Sequence, residues 1–232
     1  MSTPAPKLTI VFALYPGVTH LDLTGPHQVL SRARGAEVHT ASLGGQDIAA
    51  EGSVFSQLKD LAKIERCDVL CVPGGYGCAE AMLDEAFLAE IRRLGGSARY
   101  ITSVCTGSLI LAAAGFLAGK RAACHWAWRD LLKPFGAIVS EARVERDGNI
   151  ITGGGVTAGI DFGFVVLAEL AGESYAQEVQ LTLEYAPDPP FQAGRPQTAP
   201  PEILAKVQAR LAPIVASRTA AAEEAARRLQ PV

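Results

Sequence analysis

The fold is decided by one stretch of the chain, Ala98-Arg-Tyr-Ile-Thr-Ser-Val-Cys-Thr-Gly-Ser-Leu-Ile-Leu-Ala-Ala-Ala-Gly115. Its first half, rich in apolar and β-branched residues, is typical of a buried strand, and residues 109–117 are typical of a buried helix. Cys105 falls at the junction, where Gly107 eases the turn. Such a turn exposes its central side chain above the end of a sheet and aims helix N–H groups at whatever that side chain attacks. The sequence therefore predicts a nucleophile elbow; the alternative is an ordinary buried core cysteine.

Strand and helix patterns alternate along the rest of the chain. Further strands are predicted over residues 7–14, 37–43, 68–73 and 121–126, and further helices over residues 21–34, 80–94 and 157–170. Residues 142–152 contain Asp147-Gly148, a strong hairpin signal. This alternation predicts an α/β fold, with a mostly parallel sheet, helices on both faces and a small antiparallel part at the hairpin.

Three glycine-bearing turns follow strands in this pattern: Gly74-Gly75, Thr106-Gly107 and Gly153-Gly-Gly155. Sites in parallel α/β folds form at the carboxyl ends of the strands. We therefore expect the three turns to lie close together and to frame the site.

The C-terminal part differs in composition. Six prolines occur within fifteen residues, at Pro187, Pro189, Pro190, Pro196, Pro200 and Pro201. Because proline lacks an N–H group and restricts the chain, residues 187–201 are predicted to form an extended arm. An alanine-rich helix over residues 202–229, interrupted at Pro213, is predicted to serve in packing or dimerisation.

Composition excludes several classes of protein. Hydrophobic residues make up 49% of the 232, but no apolar run approaches the ~20 residues of a membrane span. The N-terminal Met1-Ser-Thr-Pro-Ala-Pro-Lys7 lacks the pattern of a secretory signal. Five unpatterned cysteines argue against a disulfide framework and favour the reducing cytoplasm. A net charge of −3 with scattered basic residues argues against nucleic-acid binding.

Other candidate sites are weaker than the cysteine at the elbow. The segment Gly74-Gly-Tyr-Gly-Cys-Ala-Glu80 lacks the third glycine of a dinucleotide fingerprint. The remaining cysteines form no Cys-x-x-Cys pair, so no zinc site is predicted. His125 is a possible base for Cys105, but beside Trp126 a structural role is favoured.

Asp22 lies in Leu21-Asp-Leu-Thr-Gly-Pro26, between two leucines directly after the first strand. One interpretation is an N-terminal helix cap. The other is a buried carboxyl group at the same sheet end as Cys105, where burial raises its pKa and lets it carry a proton near neutral pH.

Four blocks in this order resemble the ThiJ/PfpI superfamily: Leu21-Asp-Leu-Thr-Gly-Pro26, Val72-Pro-Gly-Gly75, Ser103-Val-Cys-Thr-Gly-Ser108 and Thr152-Gly-Gly-Gly-Val-Thr-Ala-Gly-Ile-Asp161. Two more, Lys120-Arg-Ala-Ala-Cys-His-Trp126 and Gln180-Leu-Thr-Leu-Glu-Tyr-Ala-Pro187, resemble its isocyanide hydratase branch. The resemblance extends from about Leu8 to about Pro201. It implies a flavodoxin-like sandwich over a single domain, residues 1–232, and a homodimer with no metal or organic cofactor.

The resemblance also implies roles for particular residues. Cys105 becomes the nucleophile, Asp22 the acid and base, and Thr106 a further catalytic residue. Substrate contacts are assigned to Gly75 and Thr106, and also to Gly154 and Val156. The implied reaction is hydration of an isocyanide to an N-substituted formamide through a covalent thioimidate. The alternatives are a glyoxalase-like or deglycating enzyme that uses the same cysteine, and a non-enzymatic redox sensor.

Overall fold

The computed structural model describes residues 8–229. Lys7, where the sequence predicts the first strand to begin, and the rest of the N-terminal segment lie outside this range. The strands within it are Leu8–Ala13 (β1), Ala36–Ser42 (β2), Ile48–Ala50 (β3), Ser53–Phe55 (β4), Lys59–Asp60 (β5), Val69–Val72 (β6), Tyr100–Val104 (β7), Arg121–Ala123 (β8), Ile138–Ser140 (β9), Val144–Asp147 (β10) and Ile150–Gly153 (β11). The α-helices are His20–Leu30 (α1), Cys78–Ala81 (α2), Glu85–Ser97 (α3), Gly107–Ala113 (α4), Ala158–Ala171 (α5), Glu173–Thr182 (α6) and Pro201–Leu229 (α7).

A seven-stranded sheet forms the centre, in the order β10-β11-β7-β6-β1-β2-β5. Every pairing in it is parallel except that of β10 with β11, which Gly148 and Asn149 join as an antiparallel hairpin at the predicted turn. Gly148 has φ +65°, as this tight turn requires. Strands β6, β7 and β11 are neighbours, so their carboxyl ends bring the three glycine-bearing turns to one edge, as predicted.

Two apolar layers cover the two faces of the sheet. Helices α3, α4 and α7 pack with one face of it, and α1, α5 and α6 with the other. The central strands are buried on both faces, which explains their continuous apolar sequences. The structure thus confirms the predicted α/β sandwich.

Helix α7 is part of this packing. Its small residues Ala221, Ala222, Ala225 and Ala226 are buried in the same apolar layer as α3 and α4. Their spacing places them on one side of the helix, where alanine allows close approach. Among residues 8–229, no helix is both long and apolar enough to cross a membrane.

Several predicted element boundaries were wrong. The helix predicted over residues 80–94 is two helices, because Asp84 caps α3 by accepting the N–H groups of Ala86 and Phe87. The strand predicted over residues 121–126 ends at Ala123 and pairs with β9 outside the main sheet. Helix α7 is not interrupted at Pro213. Proline has no N–H group to donate to the preceding turn, but Pro213 lies on the exposed side of the helix, where water can bond the carbonyl group that loses its partner.

The irregular C-terminal arm ends at residue 200, whereas the positions of its prolines predict that it extends to residue 201. Residues 187–200 contain no helix or strand, but Pro201 already lies in the first turn of α7, where proline is well tolerated. Helix α6, whose last residues belong to the Gln180–Pro187 block, was not predicted.

Candidate active site

Cys105 occupies a strained turn between β7 and α4. Its φ is +57°, in the left-handed region that residues other than glycine rarely adopt. Its N–H donates to the carbonyl oxygens of Gly153 at 3.1 Å and Gly154 at 2.8 Å. Glycine is required two residues later, at Gly107, because a Cβ atom there would lie 2.0 Å from the Val72 carbonyl oxygen. These contacts hold the predicted nucleophile elbow.

The Cys105 thiol is almost buried, with 5% of the residue exposed, and it borders a cavity. Burial, followed by the charge of Asp22, raises its pKa well above the usual value. The Thr106 N–H lowers it by hydrogen bonding to the sulfur. A helix N-terminus favours the thiolate, but burial outweighs that effect on the pKa here. The thiol therefore needs a nearby group that accepts its proton.

Asp22 is the buried carboxyl group beside the thiol. It lies in the first turn of α1 with no exposed surface, and its Oδ2 accepts the N–H of Gly74 at 3.0 Å. Burial raises its pKa to about 7, and the charge of Glu51 also raises it. Hydrogen bonds with the Cys105 thiol and the Gly74 N–H oppose this rise. A carboxyl group with this pKa can both accept and donate a proton at neutral pH.

The alternative role of Asp22, a helix cap, is not what the structure shows. The cap position of α1 is Thr19, and Asp22 uses its own N–H to bond the Thr19 carbonyl. Its carboxyl oxygen Oδ1 is buried and has no protein hydrogen-bond partner among residues 8–229. A buried acceptor of this kind is available to a reacting molecule.

Thr106 and Gly75 are joined directly. The Gly75 N–H donates to Thr106 Oγ1 at 3.0 Å, so this N–H is already used. In this conformation the Thr106 side chain, and not a substrate, accepts the Gly75 N–H, so the assignment of Gly75 as a substrate contact stays a prediction. A Cβ atom on Gly75 would lie 2.4 Å from the Gly17 carbonyl oxygen, so glycine is required there.

The other two predicted substrate contacts differ from each other. Val156 lines the cavity that Cys105 borders. Gly154 instead lines a neighbouring cavity, and its carbonyl holds the Cys105 N–H. Gly154 thus shapes the elbow through its backbone.

The cavity has a volume of about 430 Å³, which suits a small molecule. Its walls combine the elbow with aromatic, aliphatic and charged side chains: Thr19, His20, Leu21, Glu51, Gly75, Tyr76, Cys105, Thr106, His125, Trp126, Trp128, Val156, Val207, Arg210, Leu211 and Arg218. Four of these come from α7, which sequence reasoning assigned to packing or dimerisation. The heptad-like spacing of Val207, Leu211 and Arg218 was the available signal.

His125 is a weak base in this environment. Burial, and then the charge of Arg218, lowers its pKa to about 4. Its Nδ1 accepts the Ala127 N–H at 3.2 Å, and its ring centroid lies 4.7 Å from that of Trp128. These contacts support the structural role that the sequence favoured.

The other four cysteines are buried and free. Burial raises the pKa of the Cys78 thiol to about 11 and of the Cys67 and Cys71 thiols to about 12. Burial also raises the pKa of the Cys124 thiol well above its usual value. Among residues 8–229, no group of three or more His, Cys, Asp or Glu side chains is placed to hold a metal ion.

A cysteine at a nucleophile elbow, with a buried carboxyl group beside it at the end of a doubly covered parallel sheet, defines a class of cysteine-nucleophile enzymes. The chain belongs to the DJ-1/PfpI family, whose pattern matches residues 8–169. The predicted resemblance to the ThiJ/PfpI superfamily is thereby confirmed.

Individual relatives agree with this assignment. Isonitrile hydratase of Pseudomonas putida is 50% identical over 226 residues, which cover 96% of this chain and 98% of that protein. A ThiJ/PfpI family protein from Pseudomonas syringae has a similar crystal structure, with a TM-score of 0.90, 40% identity and coverage of 96% and 97% of the two chains. Drosophila melanogaster DJ-1beta is 30% identical over 173 residues, covering 72% of this chain and 91% of that protein.

Proposed function

We propose that this protein is an isocyanide hydratase, converting an isocyanide and water into an N-substituted formamide. The observation that carries the proposal is the pairing of Cys105 with a buried Asp22 whose pKa is about 7, at the edge of a small cavity. The 50% identity to an isonitrile hydratase over nearly the full chain supports the substrate class.

The first half of the reaction forms a covalent intermediate. Asp22 accepts the thiol proton, and the Thr106 N–H stabilises the resulting thiolate. The thiolate attacks the terminal carbon of the isocyanide, forming a C–S bond, while Asp22 returns the proton to the same carbon. The product is a thioimidate, R–N=CH–S–Cys105, and Asp22 is again a carboxylate.

The second half consumes water. The oxygen of a water molecule adds to the thioimidate carbon while Asp22 accepts a proton from that water. Asp22 then passes the proton to the nitrogen. The C–S bond then breaks, the hydroxyl proton goes to the sulfur, and R–NH–CHO leaves. Cys105 and Asp22 return to their starting forms. The buried, unpartnered Asp22 Oδ1 supports this double use of the carboxyl group.

Solvent isotopes test this mechanism. Turnover of 4-nitrophenyl isocyanide in ¹⁸O-labelled water should place the label in the formyl oxygen, and turnover in D₂O should place deuterium on the formyl carbon. Cys105→Ala should abolish both reactions. Methylglyoxal, assayed side by side, tests the glyoxalase-like alternative. Turnover of methylglyoxal without formamide production would overturn the proposal. Turnover that persists in Cys105→Ala would remove the nucleophile.

We also propose that the protein acts as a homodimer in the cytoplasm and that residues 1–232 form one functional domain. Leu181 and Phe191, 83% and 79% exposed, lie on α6 and the arm, where burial by a second copy would be favourable. Five free cysteines suit a reducing compartment. Sedimentation of a clean monomer at micromolar concentration would contradict the dimer.

A further inference from the structure

Two arginines of α7, Arg210 and Arg218, line the cavity beside Cys105. Neither has a carboxylate within ion-pair distance among residues 8–229, whereas many other arginines do. The paired ones are Arg34, Arg92, Arg93, Arg121, Arg129, Arg143, Arg146, Arg227 and Arg228. Arg210 is exposed, so water can compensate its charge, whereas the charge of Arg218 is buried without a protein counter-charge in contact within this range.

Arg218 is the more unusual of the two, because only 2% of it is exposed. Its Nη2 donates to the Gly75 carbonyl oxygen at 2.7 Å, and its guanidinium lies 4.1 Å above the Trp128 ring. Within the described part of the chain, its buried Nε has no acceptor, and neither does the buried Trp128 Nε1. A buried guanidinium is costly unless an anion or several acceptors satisfy it.

The titratable groups near Arg218 do not supply that anion. Burial raises the pKa of Tyr15, Cys78 and Cys124, so all three are uncharged at neutral pH. His125 is likewise neutral. The positive charge of Arg218 is thus uncompensated on its side of the cavity.

The cavity also has a negative side. Glu51 lines it and accepts the His20 N–H at 3.1 Å, close enough to Asp22 to raise the pKa of that carboxyl group. The charge of the walls therefore runs from negative near Asp22 to positive along α7. A molecule that presents its reacting end to Cys105 and an anionic end to α7 would match both sides.

We propose that the preferred isocyanides carry a carboxylate, which Arg210 and Arg218 of α7 bind while the isocyanide carbon meets Cys105. This rests on the proposed function and names its substrate class. Helix α7 lies beyond residue 169, where the match to the family pattern ends, so this selectivity is added to the common elbow by the C-terminal helix.

Two substrates of nearly equal shape test the proposal, 4-isocyanobenzoate and 4-isocyanobenzamide, since a carboxylate and a carboxamide differ mainly in net charge. We expect the wild-type kcat/KM to favour the carboxylate about tenfold. Arg218→Met and Arg210→Met should each reduce this ratio, and Arg218→Lys should retain part of it. Arg227→Met, on the same helix and paired with Glu224, is the control that should keep the ratio.

The ratio separates binding of the anion from structural damage. Parallel loss of both kcat/KM values, with the ratio unchanged in both methionine variants, would overturn the proposal, as would equal wild-type values for the two substrates. If Arg218→Met does not fold, Arg210→Met and Arg218→Lys still report the ratio.

A binding experiment separates this proposal from the proposed function. Calorimetric titration of Cys105→Ala with 4-formamidobenzoate and with 4-formamidobenzamide requires no turnover. Tighter binding of the carboxylate, weakened when Arg218→Met is added, supports the anion site even if wild-type protein hydrates neither isocyanide. Equal binding of the two formamides overturns it.

Discussion

Replacing Asp22 by asparagine should abolish turnover and yet stabilise the protein at alkaline pH. Asparagine keeps the size of the side chain and an oxygen for the Gly74 N–H, but it cannot transfer a proton. It also removes a carboxyl group that burial makes costly to ionise. The same physical property, a pKa raised to about 7, therefore serves the chemistry and weakens the fold.

The size of the stability effect follows from that pKa. An unfolded aspartate has a pKa of about 4, so between about pH 4 and pH 7 the folded state holds a proton that the unfolded state has lost. Stability therefore falls as pH rises through this window. The cost to wild type is about 1 kcal/mol at pH 5 and about 4 kcal/mol at pH 8. Asp22→Asn should escape this cost, so its stability relative to wild type should rise by about 3 kcal/mol between these two pH values.

Urea unfolding of both proteins at the two pH values measures this difference. Effects of asparagine on packing and hydrogen bonding cancel, because they are the same at both values. Asp188→Asn, at an exposed position of the arm, is the control and should show no such divergence. An Asp22→Asn difference that is equal at pH 5 and pH 8 would refute the buried, high-pKa carboxyl group. Near wild-type turnover in the variant would refute the acid and base assignment.

Three further changes are informative. Cys105→Ala should abolish turnover, and Cys105→Ser should leave a trace at most, because an alkoxide is much harder to form than a thiolate. Steady-state rates test this, and near wild-type activity in either variant would contradict it. Burial sets most of the raised pKa of Asp22, but Glu51 adds to it, so Glu51→Gln should move the midpoint of its pH–rate profile to lower pH, and an unmoved midpoint would count against their coupling. Gly107→Ala should cost more than about 3 kcal/mol or prevent folding, since its Cβ would lie 2.0 Å from a carbonyl oxygen, whereas Gly96→Ala in α3, with no atom within 4 Å, should be neutral or stabilising in thermal unfolding.

The elbow was predictable from sequence because its signals are local. A buried strand, a cysteine, a glycine and a buried helix follow one another within one stretch, and each has its own pattern. The approach of Asp22 to Cys105 required one additional rule, that carboxyl ends of parallel strands share an edge. The hairpin at Asp147-Gly148 was equally local, and the structure has it where the sequence placed it.

Features that depend on contacts between distant residues were not predictable in this way. The helix that follows Cys105 in the sequence favours a low thiol pKa. Burial instead raises the pKa, and the extent of burial depends on the whole fold. Similarly, no local sequence signal indicates that the Gly75 N–H donates to the side chain of Thr106, 31 positions away. Arg218 lies 143 positions from the Gly75 carbonyl that it contacts, and an arginine in an alanine-rich helix is ordinarily a solvent-exposed residue.

The position of Arg218 separates two parts of the site along the chain. Cys105, Asp22 and Thr106 all lie within the region that matches the family pattern, and their geometry depends on the ends of the central strands. The walls that α7 contributes lie outside that region and carry the uncompensated positive charge. Helix α7 is anchored by its buried alanines and by the hydrogen bond from Arg218 to the Gly75 carbonyl. Its other cavity-facing side chains, such as Val207 and Arg210, make no such bond to the elbow and can differ with less effect on the Cys105 turn. The chemistry proposed for this protein thus belongs to the shared core of the fold, and the selectivity proposed for it belongs to the C-terminal helix.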